Sequence, residues 1–259
     1  MHTHYSNINF VRPDDLGYKN WCHVNAQIKR RSSRKSKYDP FEFAFNKKLI
    51  EWEKIVQRLL SKVVIEYKNR ILQFSDKSGA TQYREIDFIT KTLKDQIVLC
   101  EIKLKQTYKE KIDSKSSGWK QLNRSLDVSS CKYKNVAGLS ICVDMSHLYG
   151  IDSTATDDVY CKYGDIKKYF DLASTENNVI WLNSLEMARL AVENNFITNK
   201  EVDSIKKIFN ERNDPLSTLK EGGLNYDNKP FEALLKGYIT SKQNVASSNL
   251  VRRSKRKSN

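Results

Sequence analysis

Apolar and polar residues along the chain alternate with two periods. From 41 to 60, Phe45, Leu49, Trp52, Val56, Leu59 and Leu60 recur with a 3.6-residue spacing. At 100° per residue they fall within a stripe of about 100°, the buried face of an amphipathic helix. Asp39-Pro40 supplies its start signal, Asp as N-cap and Pro at the first helical position. Residues 63–74 are β-branched and aromatic around Lys68-Asn69-Arg70, which predicts a strand or hairpin. Tyr83–Thr90 alternates as a strand, Lys91–Asp95 is a turn, and Gln96–Leu104 is a second strand. Further on, the pattern predicts a charged loop over 105–116, a helix over Ser117–Val128 and a buried strand over Val136–Asp144. After these come a helix over Asp165–Leu172, a strand over Val179–Leu182, and helices over 184–195, 199–212 and Phe231–Ile239. This order predicts an α/β fold, a mixed central sheet flanked by helices.

Charge adds the organisation at the ends. The 259 residues carry 45 Lys+Arg against 31 Asp+Glu, a formal charge of +14. Much of the excess sits in two runs. One is Lys29, Arg30, Arg31, Arg34, Lys35 and Lys37; the other is Arg252, Arg253, Lys255, Arg256 and Lys257. Such runs favour a polyanion, most often nucleic acid. The C-terminal run reads equally as a solubilising or localising tail. The expected layout is an N-terminal arm over 1–38, a core over 39–183, a helical C-terminal extension over 184–245 and a basic disordered tail over 246–259. Five cysteines without a CxxC disfavour a disulfide framework or a zinc cluster. No apolar run is long enough for a membrane span, and Met1–Ser6 lacks the charged-then-apolar order of a secretory signal. The expectation is an intracellular protein of cytoplasm or nucleoid, the basic tail also allowing the nucleus, with no membrane partner. No Gly-rich phosphate loop and no GxSxG occurs, so nucleotide-hydrolase and serine-hydrolase readings lack support.

Candidate chemistry lies in Arg84-Glu85-Ile86-Asp87-Phe88-Ile89 and Val98-Leu99-Cys100-Glu101-Ile102-Lys103. An acid, any residue, then Lys occurs five times in the chain, about as often as chance predicts. Only Glu101 and Lys103 place it inside an apolar strand. Charges there cost several kcal/mol in aggregate, ~3 or more, unless paired, solvated or metal-bound. A hairpin about Lys91–Asp95 puts Asp87 directly opposite Glu101, with Cβ atoms roughly 4.5–5.5 Å apart on one face. Their repulsion has three remedies: a raised pKa, a flanking Lys, or a divalent cation. Lys103 is on the same face. Two carboxylates and an ammonium suit Mg²⁺, or Mn²⁺ in its place, and water attack on a phosphodiester. A plain cross-strand ion cluster on a solvated sheet face is the competing reading.

This arrangement resembles the PD-(D/E)XK nuclease superfamily, with its restriction-endonuclease-like fold, over roughly residues 41–145. The resemblance implies metal ligation by Asp87, Glu101 and the Ile102 carbonyl, with Lys103 orienting the attacking water. It implies a helping acid on the preceding helix, where Glu53 fits best by phase, and a polar residue on the following helix, where Gln121 is the candidate. Lys120 and Arg124 on that helix join Lys29, Arg30, Arg31, Arg34 and Lys35 as expected nucleic-acid contacts. Ile86 stands where the family motif has Pro, and Ser125 stands where some branches have Tyr. The implied activity is Mg²⁺-dependent hydrolysis of phosphodiester bonds, with DNA expected ahead of RNA. A homodimer is also allowed, since active nucleases of this fold often pair to cut both strands. The alternatives are a non-catalytic nucleic-acid-binding module on the same fold, and an interaction protein docking through its C-terminal helices.

Overall fold

The structure is a computed structural model that describes residues 5–32 and 40–213, with side chains for 5–28 and 41–211. It is an α/β fold with two sheets. Strands β1 (Ser6–Val11), β2 (Ile71–Ser75) and β3 (Thr81–Glu85) form an antiparallel sheet in that order. Strands β4 (Phe88–Lys91), β5 (Ile97–Lys105), β6 (Val136–Asp144) and β7 (Val179–Asn183) form a mixed sheet in that order. There β4 is antiparallel to β5, while β5, β6 and β7 run parallel. Six helices accompany them: α1 (Leu16–Ser32), α2 (Pro40–Val63), α3 (Trp119–Ser130), α4 (Ile166–Asp171), α5 (Ser184–Glu193) and α6 (Asn199–Asn213). Among the described residues no helix is long and apolar enough to cross a membrane.

The four-stranded sheet is covered on both faces. One face gives Phe88, Val98, Cys100, Ile102, Leu139 and Ile141 to a core shared with Phe45, Trp52, Val56 and Leu59 of α2. The other gives Ile89 and Leu99 to a core shared with α3 and with Phe10, Leu72 and Phe74 of the three-stranded sheet. Every residue of β6 is buried, as a strand sandwiched on both faces requires. Gly138 of β6 lets α3 approach closely: a Cβ there would lie 2.9 Å from Leu126 and 3.1 Å from both Leu122 and Trp119. Glu101 and Lys103 alternate with Cys100 and Ile102, so they face the α3 side.

Several sequence expectations change. The expected N-terminal arm carries β1 and α1. Ile8 and Phe10 of β1 are buried in the second core, and Tyr18 and Trp21 of α1 pack around Tyr83 of β3 with centroid distances of 5.7 Å. Their signal is weak in sequence because β1 has few apolar residues and α1 attaches through aromatic rings rather than an aliphatic stripe. Val63 closes α2 instead of opening a strand, and β2 pairs with β3 rather than with residues 63–67. Tyr83–Thr90 is not one strand but two, parted at Ile86-Asp87 and belonging to different sheets. The described helices of the expected C-terminal extension join the main core: Met187, Ala191, Val202, Ile205 and Phe209 pack in one cluster with α2. The expected helix over Phe231–Ile239 and the basic tail lie outside the described residues.

Candidate active site

The hairpin register sets the geometry. Phe88 pairs with Cys100, Ile89 with Leu99, Thr90 with Val98 and Lys91 with Ile97. One step further that register sets Asp87 against Glu101. The ladder stops at Phe88, and the next donor on β5, the Ile102 N–H, is taken instead by Asp87 Oδ2 at 2.8 Å. Glu101 is 2% exposed. Its Oε1 accepts a hydrogen bond from the half-buried Lys103 ammonium. Glu101 lies beside Ser140 of β6, which is also buried and whose hydroxyl has no hydrogen-bond partner among the described residues.

The electrostatics follow from this crowding. Burial and then the charge of Asp87 push Glu101 up to about 7, against the pull of Lys103. Burial raises Asp87 as well, opposed by the Ile102 N–H and by Lys103. Burial lowers the Lys103 ammonium, but Glu101, Asp87 and Glu53 outweigh it and leave its pKa raised. Two of the remedies expected for opposed carboxylates, a raised pKa and a flanking Lys, therefore operate together.

Glu53 stands half-buried on α2. Burial and Asp87 raise its pKa, and its Oε1 accepts a hydrogen bond from Gln57 Nε2 at 3.2 Å. It feels the pair electrostatically but does not close a cluster: among the described residues no three His, Cys, Asp or Glu gather closely enough to hold a metal ion. The donor set for a hard cation is Asp87 and Glu101, whose Oδ1 and Oε2 accept no hydrogen bond from the described residues. Two facing hard-oxygen donors with upward-shifted pKa values fit Mg²⁺ or Mn²⁺, since a divalent charge relieves their repulsion. Asp144, the other fully buried acid among the described residues, is a contrast. Its carboxylate accepts from Tyr160 Oη at 2.6 Å, Ser153 Oγ at 2.8 Å and the Ser146 N–H at 2.9 Å, and so is satisfied by protein donors.

Two residues that carry no sequence signal hold the pair in place. Arg70 donates to the Asp87 carbonyl at 3.2 Å and pairs with Glu85 at 3.1 Å, fixing the chain where it changes sheets. Gly118, at φ 82°, precedes α3, and a Cβ there would lie 2.5 Å from Glu101 Cγ and 2.8 Å from Lys103 Cε. Only a residue without a side chain lets the start of α3 cover the two charges. In sequence Arg70 reads as part of a turn, and Gly118 as one of nine glycines.

Gln121 is exposed on the first turn of α3. It lines a cleft of about 590 Å³ with Arg84, Glu85, Lys115, Lys120, Arg124 and Ser125, next to the acid pair rather than in contact with it. Lys120 and Arg124 thus share one surface. Lys29, Arg30 and Arg31 end α1 without described side chains, and Arg34 and Lys35 lie outside the described residues. Trp119, 8% exposed, belongs to the core.

Comparison of the chain with protein-family models, with curated proteins and with solved structures finds no match.

Proposed function

We propose that the chain is a metal-dependent nuclease of restriction-endonuclease-like fold that hydrolyses phosphodiester bonds of DNA. The observation that carries the reading is Glu101, buried, opposed by Asp87 and hydrogen-bonded by Lys103 at the end of a strand ladder. An ordinary sheet face does not retain such a pair, because buried charge costs more than an apolar substitute. Asp87 and Glu101 would hold the cation, which when bound would supply Lewis acidity to the scissile phosphate and to the attacking water.

The chain's own residues do the rest. The Ile102 N–H fixes one oxygen of Asp87, leaving the other to face the site. Lys103 brings positive charge to the position where negative charge develops on phosphorus-bound oxygens. Arg84, Lys115, Lys120 and Arg124 line the adjoining cleft and are complementary to a sugar-phosphate backbone.

The test is cleavage of linear duplex, circular plasmid and single-stranded DNA with Mg²⁺ or Mn²⁺, beside Asp87→Ala and Lys103→Ala, with the substrates that have ends cut at the least. The wild type should cut, and each variant should lose about 10²–10³-fold or more. Variants that cut as well as wild type would refute the assignment. A second reading, a non-catalytic nucleic-acid-binding module, is favoured by the lack of a third gathered ligand among the described residues. Metal-independent binding with no cleavage of any polynucleotide would establish it instead.

A further inference from the structure

The cleft beside the acid pair has more positive charge than its walls can balance. Arg84 comes from β3, Lys115 from the loop before α3, and Lys120 and Arg124 from α3 itself. Glu85 is the only carboxylate in the lining among the described residues, and it is already engaged by Arg70 at 3.1 Å and by the Tyr18 hydroxyl at 3.2 Å. Among the described residues none of the four cations makes an ion pair. Arg84 is half-buried; burial and then the charge of Arg124 oppose its ionised form, while Tyr5 and Asp127 favour it. A guanidinium does not shed its proton in a protein, so the cleft keeps the two positive charges side by side.

We propose that Arg84 and Arg124 form a clamp for the terminal phosphate of a nucleic-acid strand, with Lys115 and Lys120 completing its charge. The proposal rests on the nuclease reading and deepens it. A terminal phosphate carries close to two charges and three free oxygens, and two planar guanidinium forks take such a group bidentately. An internal phosphodiester offers one charge and two free oxygens, too little for two unpaired guanidiniums and two ammoniums. The clamp also has a defined offset from the chemistry. Gly118 touches Glu101 and Lys103, and Arg124 stands six residues further along α3, a rise of about 9 Å. A strand held by its end presents a phosphodiester close to that end to the acid pair. Degradation from an end, in short steps, is the mode this offset favours.

The test measures binding without cleavage. Full-length protein in EDTA is titrated at fixed salt with fluorescent single-stranded oligonucleotides bearing a 5′-phosphate, a 3′-phosphate or hydroxyls at both ends. One phosphorylated form should bind about tenfold or more tighter than the hydroxyl form. Inorganic phosphate should remove that advantage while sparing the remaining affinity. Arg124→Gln, an exposed helix position whose change leaves the fold intact, should abolish the preference, and Arg124→Lys should retain part of it. Equal affinities for all three oligonucleotides in the wild type, or a preference that survives Arg84→Gln with Arg124→Gln, would overturn the clamp. A protein that cuts DNA without an end preference refutes the clamp and keeps the nuclease. One that prefers phosphorylated ends and never cuts supports the clamp and refutes the nuclease.

Discussion

Replacing Glu101 with Gln should flatten the dependence of folding stability on pH. Glu101 is 2% exposed, and burial together with the charge of Asp87 moves its pKa from 4.5 to about 7. At about 1.4 kcal/mol per pKa unit, that shift corresponds to about 3 kcal/mol of stability. The sign follows from which state ionises first. Below pH 4.5 the carboxyl is protonated in both folded and unfolded chains, and its contribution is fully present. As pH rises toward 7 the unfolded chain releases the proton before the folded one, so the contribution is lost across that window. Urea unfolding of wild type and Glu101→Gln in EDTA, from pH 4.5 to 8, isolates the effect as a difference between two profiles. The wild type should lose about 3 kcal/mol more than the variant between the ends of the window. Gln keeps the volume and stays neutral throughout. It also removes the partner that does most to hold the Lys103 ammonium up against burial. Millimolar Mg²⁺ at pH 8 should restore stability to the wild type and not to the variant. Parallel profiles in EDTA would refute the claim that Glu101 is held against its charge.

Two further predictions concern the residues that hold the pair. Gly118→Ala should cost about 1–2 kcal/mol in a thermal or urea melt, from the left-handed backbone alone. Because the new Cβ falls 2.5 Å from Glu101 Cγ, the same variant should lose the Mg²⁺-induced rise in melting temperature. An unchanged response would mean that the close approach is not a constraint. Arg70→Ala removes the grip on the Asp87 carbonyl and on Glu85, so cleavage should fall at least tenfold, ~1.4 kcal/mol in the barrier. Affinity for DNA in EDTA should stay within about twofold of wild type, because Arg70 is not in the lining of the basic cleft. A parallel loss of both would make Arg70 a binding residue instead of a positioning one.

The facing of Asp87 and Glu101 was legible because a short turn fixes a hairpin's register. Thr92 and Gln96 close that turn with a backbone bond of 2.9 Å, and Asp95 adopts φ 63° within it. The stripe of α2 and the apolar run of β6 were legible for the same reason: each repeats a period long enough to outweigh local propensity. Val63-Val64-Ile65 shows the opposite case. Its residues favour strands, yet the amphipathic helix before it carries on to Val63, and packing decides. The break at Ile86-Asp87 could not be read either. Ile86, Phe88 and Ile89 are all buried, and the alternation of one strand looks the same as two strands turning between sheets. The clamp was hidden because Arg84 and Arg124 lie forty residues apart in sequence and meet only when α3 crosses the sheet.

The break itself explains why one copy of a common tripeptide can act. Glu66-Tyr67-Lys68 lies exposed, with Glu66 bridged to Thr90. Asp113 is spent on the amides of Lys115 and Ser116, and Asp165 on Lys168 at 2.6 Å. Asp227-Asn228-Lys229 lies outside the described residues. Glu101 differs because its neighbour strand ends one residue early. β4 begins only at Phe88, so beyond Cys100 the β4 side of β5 has no backbone partner in the ladder. A carboxylate, Asp87, takes the Ile102 N–H that a continuing strand would have taken. The same interruption brings the second acid to Glu101 and leaves the β4 side of β5 without a ladder partner beyond Cys100. Extending β4 by two residues, to set Ile86 against Ile102, would satisfy the Ile102 N–H with backbone and displace the Asp87 carboxylate. The site is therefore a property of where the ladder stops, and its charges are tolerated because the fold ends a strand there.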